Sequence, residues 1–148
     1  MVKDAIKVLM MEDDPGDIKL TRESFKQSKL FVYLSTVSDG KEGMEYLRKQ
    51  GKYADAETPD LILLDLNMPR MDGRQALHEI KNDKNLKLIP VVILTTSQQE
   101  EDIARSYTEG ANCYVSKPLD FHQFEKVVAQ IADFWFSVVK LPHMKGET

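Results

Sequence analysis

The sequence predicts an α/β protein built on an open parallel sheet. Strand-like and helix-like segments alternate five times along the chain, which is the pattern of repeated βα units. Three of the strand-like segments are continuous apolar runs, as expected for central strands that helices cover on both faces. Polar residues directly follow the apolar runs of four of the five strands, at positions that a parallel sheet brings together on its carboxyl edge. These observations predict a doubly wound fold with one polar pocket at that edge.

The five strands are predicted where apolar and β-branched residues cluster. Their expected ranges are 6–11, 32–37, 60–65, 90–95 and 112–116. The first, third and fourth are the continuous apolar runs, so we assign them to the centre of the sheet. The second strand contains Tyr33, Ser35 and Thr36 and is more polar, which suits a sheet edge.

Each predicted strand is followed by a signal for the start of a helix. Asp14 and Pro15 provide an N-cap followed by proline at the first helical position. The other four starts pair a side-chain acceptor with an acid or amide three residues later. They are Asp39 with Glu42, Asp72 with Gln75, Ser97 with Glu100, and Asp120 with Gln123. Five helices are therefore predicted, one after each strand.

Apolar residues recur at helical spacing and predict the helix faces that pack on the sheet. In the fourth helix this face contains Ile103 and Tyr107. In the fifth helix it contains Phe124, Val127, Val128, Ile131, Trp135 and Val138. Additional apolar residues at the end of the chain exceed this stripe: Phe134, Phe136, Val139 and Leu141. The surplus predicts a homodimer through the fourth helix, fifth strand and fifth helix, unless the final turn bends back over its own sheet.

Length and composition limit the classes of protein open to this chain. With 148 residues, 42% hydrophobic and 30% charged, it is expected to form one domain over residues 1–148, with a core at about 5–139 and a polar tail at 140–148. The net charge of −4 and the dispersed lysines and arginines argue against nucleic-acid binding. No apolar run has membrane-spanning length and no signal-peptide pattern is present, so we expect a cytoplasmic location.

Cysteine and histidine residues predict neither a disulfide framework nor a zinc site. Cys113 is the only cysteine and lies in an apolar run, which is typical of a small buried side chain. His78, His122 and His143 are far apart in sequence and lack the spacing of metal ligands.

The polar residues at the strand ends form a candidate phosphoryl-transfer site. Glu12 and Asp13 follow the first strand, and Asp65 ends the third. Alone, Asp13 or its neighbour Asp14 would be an ordinary helix cap, but clustered carboxylates repel one another unless a hard cation such as Mg²⁺ neutralises them. With a metal present, Asp65 is a candidate nucleophile toward phosphorus. Thr95 and Lys117, at the ends of the fourth and fifth strands, are suited to contact phosphoryl oxygens.

The chain resembles the receiver domains of two-component response regulators over residues 5 to about 136. The resemblance rests on Glu12-Asp13, Asp65 within LLDLNMPRMDG, Thr95, and the segment YVSKP at 114–118. Asp65 follows Asp13 by 52 residues. Thr95 follows Asp65 by 30 residues, and Lys117 follows Thr95 by 22. These separations are usual in such domains.

The resemblance implies a flavodoxin-like (βα)5 fold with strand order 2-1-3-4-5. It also implies that Asp65 accepts a phosphoryl group from a phosphohistidine of a sensor histidine kinase. Asp13 and Asp65 would bind Mg²⁺ directly, Glu12 would hold it through water, and Asn67 would contribute its backbone carbonyl. Such a domain is a phosphoacceptor in signalling and not a turnover enzyme.

Within this family the chain is similar to the small stand-alone receivers that serve phytochrome-type sensor kinases. The segments that carry this similarity are GKYAD at 51–55, LTTS at 94–97, RSY at 105–107, GANCY at 110–114, FWF at 134–136 and LP at 141–142. In this family Thr95 and Tyr114 would form the conformational switch. The signal would leave by protein contact or by a second phosphotransfer.

Three other functions remain open at this stage. A magnesium-dependent phosphohydrolase would use the same nucleophile, but it usually has a second acid where this chain has Asn67. A flavin-binding domain would need a phosphate loop after the first strand, where Glu12 and Asp13 would repel phosphate. A scaffold or pseudo-receiver would act without phosphorylation, and the intact acidic site argues against it.

Overall fold

The computed structural model describes residues 5–28 and 30–142, so His143 and the predicted tail beyond residue 142 lie outside the described part. Five strands and five helices alternate along it. The strands are β1 (Ile6–Met11), β2 (Val32–Val37), β3 (Leu61–Leu64), β4 (Val91–Thr95) and β5 (Cys113–Ser116). The helices are α1 (Pro15–Lys26), α2 (Gly40–Leu47), α3 (Gly73–Lys81), α4 (Glu100–Thr108) and α5 (Phe121–Asp133).

The sheet is parallel throughout, with the strand order β2-β1-β3-β4-β5. This confirms the predicted doubly wound fold. Successive side chains on a strand point to opposite faces, so the central strands supply two separate cores. Leu9 and Ile62 face α2 and α3, whereas Val8 and Leu61 face α1 and α5. Among residues 5–28 and 30–142, no helix combines the length and apolarity needed to cross a membrane.

Four of the five predicted helix caps are confirmed. The side chains of Asp14, Asp39, Asp72 and Asp120 accept hydrogen bonds from backbone N–H groups in the first turns of α1, α2, α3 and α5. The prediction at Ser97 is wrong, because α4 begins at Glu100 and Gln99 occupies the cap position. The Ser97 hydroxyl instead donates to the Asp102 carboxylate at 2.6 Å. A charged acceptor therefore holds the side chain that the sequence pattern assigned to the helix end.

The inward face of α4 also differs from the prediction. Asp102 and Ser106 are its buried residues, whereas Tyr107 is 50% exposed. The physical reason is an ion pair: Arg74 on α3 donates to both carboxylate oxygens of Asp102, at 2.8 Å each. This pair turns a polar edge of α4 toward α3. Hydrophobic periodicity alone does not detect such an arrangement.

The chain beyond α5 bends back over its own core. Residues Phe134–Val138 form a π-helical turn. This turn changes the direction in which the side chains after α5 point. Phe136, Val139 and Leu141 pack partly against the core, and Phe136 meets Phe25 edge-on with ring centroids 5.7 Å apart. The predicted apolar surplus is therefore largely covered. Val138, predicted on the core stripe, is exposed.

Gly73 brings the start of α3 against the strand end that carries Asp65. A Cβ atom at this position would lie 2.1 Å from the Asp65 carbonyl oxygen and 2.7 Å from the Leu66 Cα. Both obstacles are backbone atoms, so a larger residue would displace the loop. Gly73→Ala is expected to lower the free energy of unfolding by about 1–3 kcal/mol through overpacking. Urea denaturation measures this change.

The control for this substitution is Gly16→Ala in the first turn of α1. A Cβ atom there would meet only the Asp14 Oδ1 atom, at 3.3 Å. Because alanine favours helix and the exposed Asp14 side chain can yield by a few tenths of an ångström, stability is expected to stay the same or rise slightly. An equal loss of stability in both variants would contradict the interpretation that Gly73 is needed for the close approach of α3 to the Asp65 backbone.

Candidate functional site

Three carboxylates meet at the carboxyl edge of the sheet. Met11 of β1 is paired with Leu64 of β3, so the residues that follow these strands are neighbours. The Asp65 N–H donates to the Met11 carbonyl at 3.1 Å, which continues the pairing by one residue. One carboxylate oxygen from each of Glu12, Asp13 and Asp65 lies within 4.8 Å of the others. The predicted acidic cluster is thus present, with Glu12 and Asp65 buried and Asp13 exposed.

Glu12 is buried where a free carboxylate is costly. Its side chain is 1% exposed. Burial raises the pKa of Glu12 to about 7, and the charge of Asp65 raises this pKa as well, while a hydrogen bond from Lys117 opposes them. The Glu12 backbone N–H donates to the Val37 carbonyl at 3.0 Å, which fixes the residue against β2. Clustered acidic oxygens of this kind fit a divalent cation.

Lys117 provides a positive charge at the centre of the cluster. Its backbone N–H donates to the Thr95 carbonyl at 2.7 Å, which extends the pairing of β4 and β5. Its ammonium donates to Glu12 at 2.6 Å and to Asp65 at 3.3 Å. It also donates to Asp17 on α1 at 2.8 Å. Burial lowers the pKa of Lys117, but the hydrogen bonds to Asp17 and Glu12 outweigh burial and raise it above the ordinary value.

Asp65 is held by donors on both carboxylate oxygens. Its Oδ1 accepts from the Thr95 hydroxyl at 2.8 Å and from the Asn67 N–H at 3.2 Å. Its Oδ2 accepts from Lys117. Glu12, Asp13, Asp65, Thr95 and Lys117, which the sequence singled out, therefore share one pocket. The Asn67 backbone carbonyl stays a predicted metal ligand, since the acidic cluster itself consists of side chains only.

A second polar network, which the sequence pattern did not reveal, lies beside the cluster. Arg74 binds Asp102, and Asp102 accepts from the Ser97 hydroxyl. The Ser97 carbonyl accepts from the Tyr114 hydroxyl at 3.0 Å. Arg74 also donates to the Asn67 side-chain oxygen at 3.5 Å, so the network extends from the loop after Asp65 to β5. The only local signal for it was the pair of polar residues at 97 and 102.

The fold and this site define a class of protein. The family model for the response regulator receiver domain matches residues 8–129, and the chain belongs to this family. Receiver domains interact with sensor histidine kinases. The acidic cluster fits the divalent-metal binding that is general in the family.

Particular relatives are similar over nearly the whole chain. Response regulator Rcp1 from Synechocystis sp. is 43% identical over 135 residues, which cover 91% of this chain and 92% of that protein. The crystal structure of the phosphorylated cyanobacterial phytochrome response regulator RcpA superimposes with a TM-score of 0.92 at 47% identity, covering 94% of this chain and 99% of RcpA. The Mn²⁺-bound form of Rcp1 gives a TM-score of 0.91 at 42% identity, with 93% and 99% of the two chains covered.

The ion pair between Arg74 and Asp102 predicts a pH-dependent contribution to stability. The Arg74 and Ser97 hydrogen bonds lower the pKa of Asp102 from 3.8 to about 2. A lowered pKa in the folded state means that this contribution is complete above about pH 4 and is lost as the pH falls toward 2. Asp102→Asn is expected to lower the free energy of unfolding at neutral pH by about 1–3 kcal/mol, because charge-assisted hydrogen bonds are lost.

Urea denaturation of both proteins between pH 7 and about pH 2.5 measures this difference. Glu101→Gln is the matched control, since it removes an exposed charge from the same helical turn. The difference in the free energy of unfolding between the wild-type protein and Asp102→Asn should become smaller as the pH falls. A difference that is constant with pH, or one that the control reproduces, would contradict the ion-pair interpretation.

Proposed function

We propose that Asp65 is the phosphoacceptor of this receiver domain and takes its phosphoryl group from a phosphohistidine of a sensor histidine kinase. The observation that carries this proposal is the position of Asp65 itself. Its carboxylate belongs to the acidic cluster and also contacts the Thr95 hydroxyl and the Lys117 ammonium. None of the other acids in the cluster has both of these contacts among the described residues.

The contacts of Asp65 match the demands of phosphoryl transfer. One carboxylate oxygen forms the new P–O bond while the P–N bond of the phosphohistidine breaks and its electron pair stays on the ring nitrogen. Charge on the phosphoryl oxygens must be stabilised in the transition state by groups that are already in place. Lys117 offers a buried ammonium for one oxygen, and Thr95 offers a hydroxyl for another. Asp65, Thr95 and Lys117 form the proposed catalytic group.

The proposed cofactor is Mg²⁺. Asp13 and Asp65 would bind it directly, Glu12 would bind through water, and the Asn67 carbonyl would complete the protein ligands. Mg²⁺ prefers oxygen ligands and usually keeps several of its bound waters, so a site with few protein ligands suits it. The bound ion would neutralise negative charge on the carboxylates and on the incoming phosphoryl group. The Mn²⁺-bound form of Rcp1 supports a divalent ion in this family.

The signal would pass from Asp65 to the surface through Thr95 and Tyr114. Thr95 would move toward the phosphoryl group, and Tyr114 would turn inward. The hydrogen bond from the Tyr114 hydroxyl to the Ser97 carbonyl joins the two, because Ser97 follows Thr95 in the same loop. Protein contact, or a second phosphotransfer, would carry the signal further.

The proposed partner is a phytochrome-type kinase, since RcpA is a phytochrome response regulator and is 47% identical to this chain. The chain would act as a single receiver domain in the cytoplasm, with slow autodephosphorylation as its only other reaction. No contact among residues 5–28 and 30–142 favours the phosphohydrolase or the phosphorylation-independent scaffold.

Incubation with a small phosphodonor and Mg²⁺ is expected to label the wild-type protein on Asp65 alone. Asp65→Asn should reduce labelling to background, because an amide oxygen does not form the acyl phosphate. A metal chelator should abolish labelling of the wild-type protein. Mass spectrometry of the intact protein and of its peptides identifies the labelled residue. Full labelling of Asp65→Asn, or an acyl phosphate on another residue, would overturn the proposal.

We also propose that the protein forms a homodimer through α4, β5 and α5. Apolar side chains of α4 and of the turn after α5 remain exposed after the terminal segment has packed on its own core. Phe134 is 52% exposed, Val138 is 69% exposed, and Tyr107 of α4 is 50% exposed. A twofold partner would make these contacts self-complementary and would cover apolar surface.

Phe134→Ser is expected to weaken this dimer about tenfold or more, because a Phe side chain buried at an interface contributes roughly 1.5–3 kcal/mol. Phe136 is unsuitable for the test, since it packs against Phe25 and its loss would damage the core. Sedimentation equilibrium at micromolar concentration gives the dissociation constant. The control is Phe31→Ser, which removes an exposed ring next to the edge strand β2. A wild-type protein that stays monomeric before and after phosphorylation rules the dimer out.

A further inference from the structure

The ammonium of Lys117 is shared by three carboxylates that differ in one respect. Glu12 and Asp65 belong to the acidic cluster that fits a metal ion, whereas Asp17 does not. Asp17 nevertheless lies 2.8 Å from the Lys117 Nζ atom, closer than Asp65 at 3.3 Å. An ammonium has three hydrogens, so these three acceptors use all of its donor capacity.

The position of Asp17 is fixed by the first turn of α1. Its backbone N–H donates to the capping Asp14 side chain at 3.4 Å. Its backbone carbonyl accepts from the Thr21 hydroxyl at 2.8 Å, and Thr21 is fully buried. The Asp17 carboxylate is therefore presented to Lys117 from a helix, whereas Glu12 and Asp65 reach it from the ends of β1 and β3.

Phosphorylation would change two of the three contacts of Lys117. Asp65 would carry the phosphoryl group, and one ammonium hydrogen would turn to a phosphoryl oxygen. Glu12 would share its charge with the metal site. Only the contact with Asp17 has no competing demand, because its carboxylate lies outside the metal cluster.

We propose that Asp17 is a positioning residue, which anchors the Lys117 ammonium at the phosphoryl site while its other contacts are exchanged. This inference rests on the proposed function, since it assigns a role in the phosphorylation of Asp65. Without the contact to Asp17, only Glu12 and Asp65 would hold the Lys117 ammonium. Its position relative to the phosphoryl oxygens would then be less well defined in the transition state. Displacements of about 1 Å at a reacting centre cost up to 100-fold in rate.

A simpler role for Asp17 also exists. An acid in the first turn of a helix is stabilising because it interacts with the positive end of the helix dipole. That role would affect stability but would leave the rates of phosphoryl transfer unchanged. Asp14→Asn tests for general charge effects, since it removes the same charge three residues earlier and keeps a good N-cap.

The experiment compares wild-type protein, Asp17→Asn and Asp14→Asn under a small phosphodonor with Mg²⁺. Lys117 stabilises charge on the phosphoryl oxygens in the transfer to Asp65 and in the later hydrolysis. Asp17→Asn is therefore expected to slow both steps about tenfold. Asp14→Asn should stay within about twofold of the wild-type rates. Unchanged rates in Asp17→Asn, or equal slowing in both variants, would overturn the proposal.

A second measurement follows Lys117 directly and needs no phosphorylation. In the wild-type protein the hydrogen-bonded ammonium is expected to give a resolved ¹H–¹⁵N signal, with and without Mg²⁺. In Asp17→Asn faster exchange with water should remove the signal in the presence of Mg²⁺, and in Asp14→Asn it should persist. Persistence in Asp17→Asn would contradict the anchoring role. If circular dichroism shows that Asp17→Asn is unfolded, Asp17→Ser replaces it in both measurements.

The proposed function and the role of Asp17 can be refuted separately. A wild-type protein that is not labelled on Asp65 overturns the proposed function itself. A wild-type protein labelled on Asp65, with Asp17→Asn labelled and hydrolysed at the same rates, leaves the proposed function standing and removes only the role of Asp17.

Discussion

The ammonium of Lys117 stabilises an acidic site whose carboxylates would otherwise repel one another. Its hydrogen bonds reach Glu12, Asp17 and Asp65, which come from the end of β1, the first turn of α1 and the end of β3. Buried carboxylates are costly without a counter-charge, so this one cation permits the acids to lie close together in the folded protein. The site still carries an excess of negative charge. That excess fits the divalent-metal binding of receiver domains.

The second consequence of this arrangement is that the site is connected to a distant surface. Asp65 contacts Thr95, and the loop after Thr95 carries Ser97, which receives the Tyr114 hydroxyl bond. Arg74 and Asp102 join the same loop to α3 and α4. These hydrogen bonds, together with the short segment 95–97, link Asp65 to β5 and α4. The proposed switch through Thr95 and Tyr114 would act through this link.

Much of the fold and most of the site follow from patterns that are visible in the sequence. Apolar runs place the central strands, and aspartates followed by helical spacing mark four of the helix starts correctly. The convergence of Asp13, Asp65, Thr95 and Lys117 was predictable, because parallel strands end at one edge of the sheet. The helix start at Ser97 and the inward face of α4 were predicted wrongly. There, Asp102 of α4 binds both the Ser97 hydroxyl and Arg74 of α3, and these charged contacts outweighed local preference.

The sequence by itself determined the strands, most of the helix starts and the family, because strand periodicity, capping and strand-end residues are local features. Only the tertiary structure decided which charged groups meet. Arg74 and Asp102 are 28 residues apart, and Asp17 and Lys117 are 100 residues apart. It also decided that the terminal aromatic residues turn back on the core, through a π-helical turn after α5. Such contacts depend on how helices lie against the sheet and one another, which no local pattern encodes.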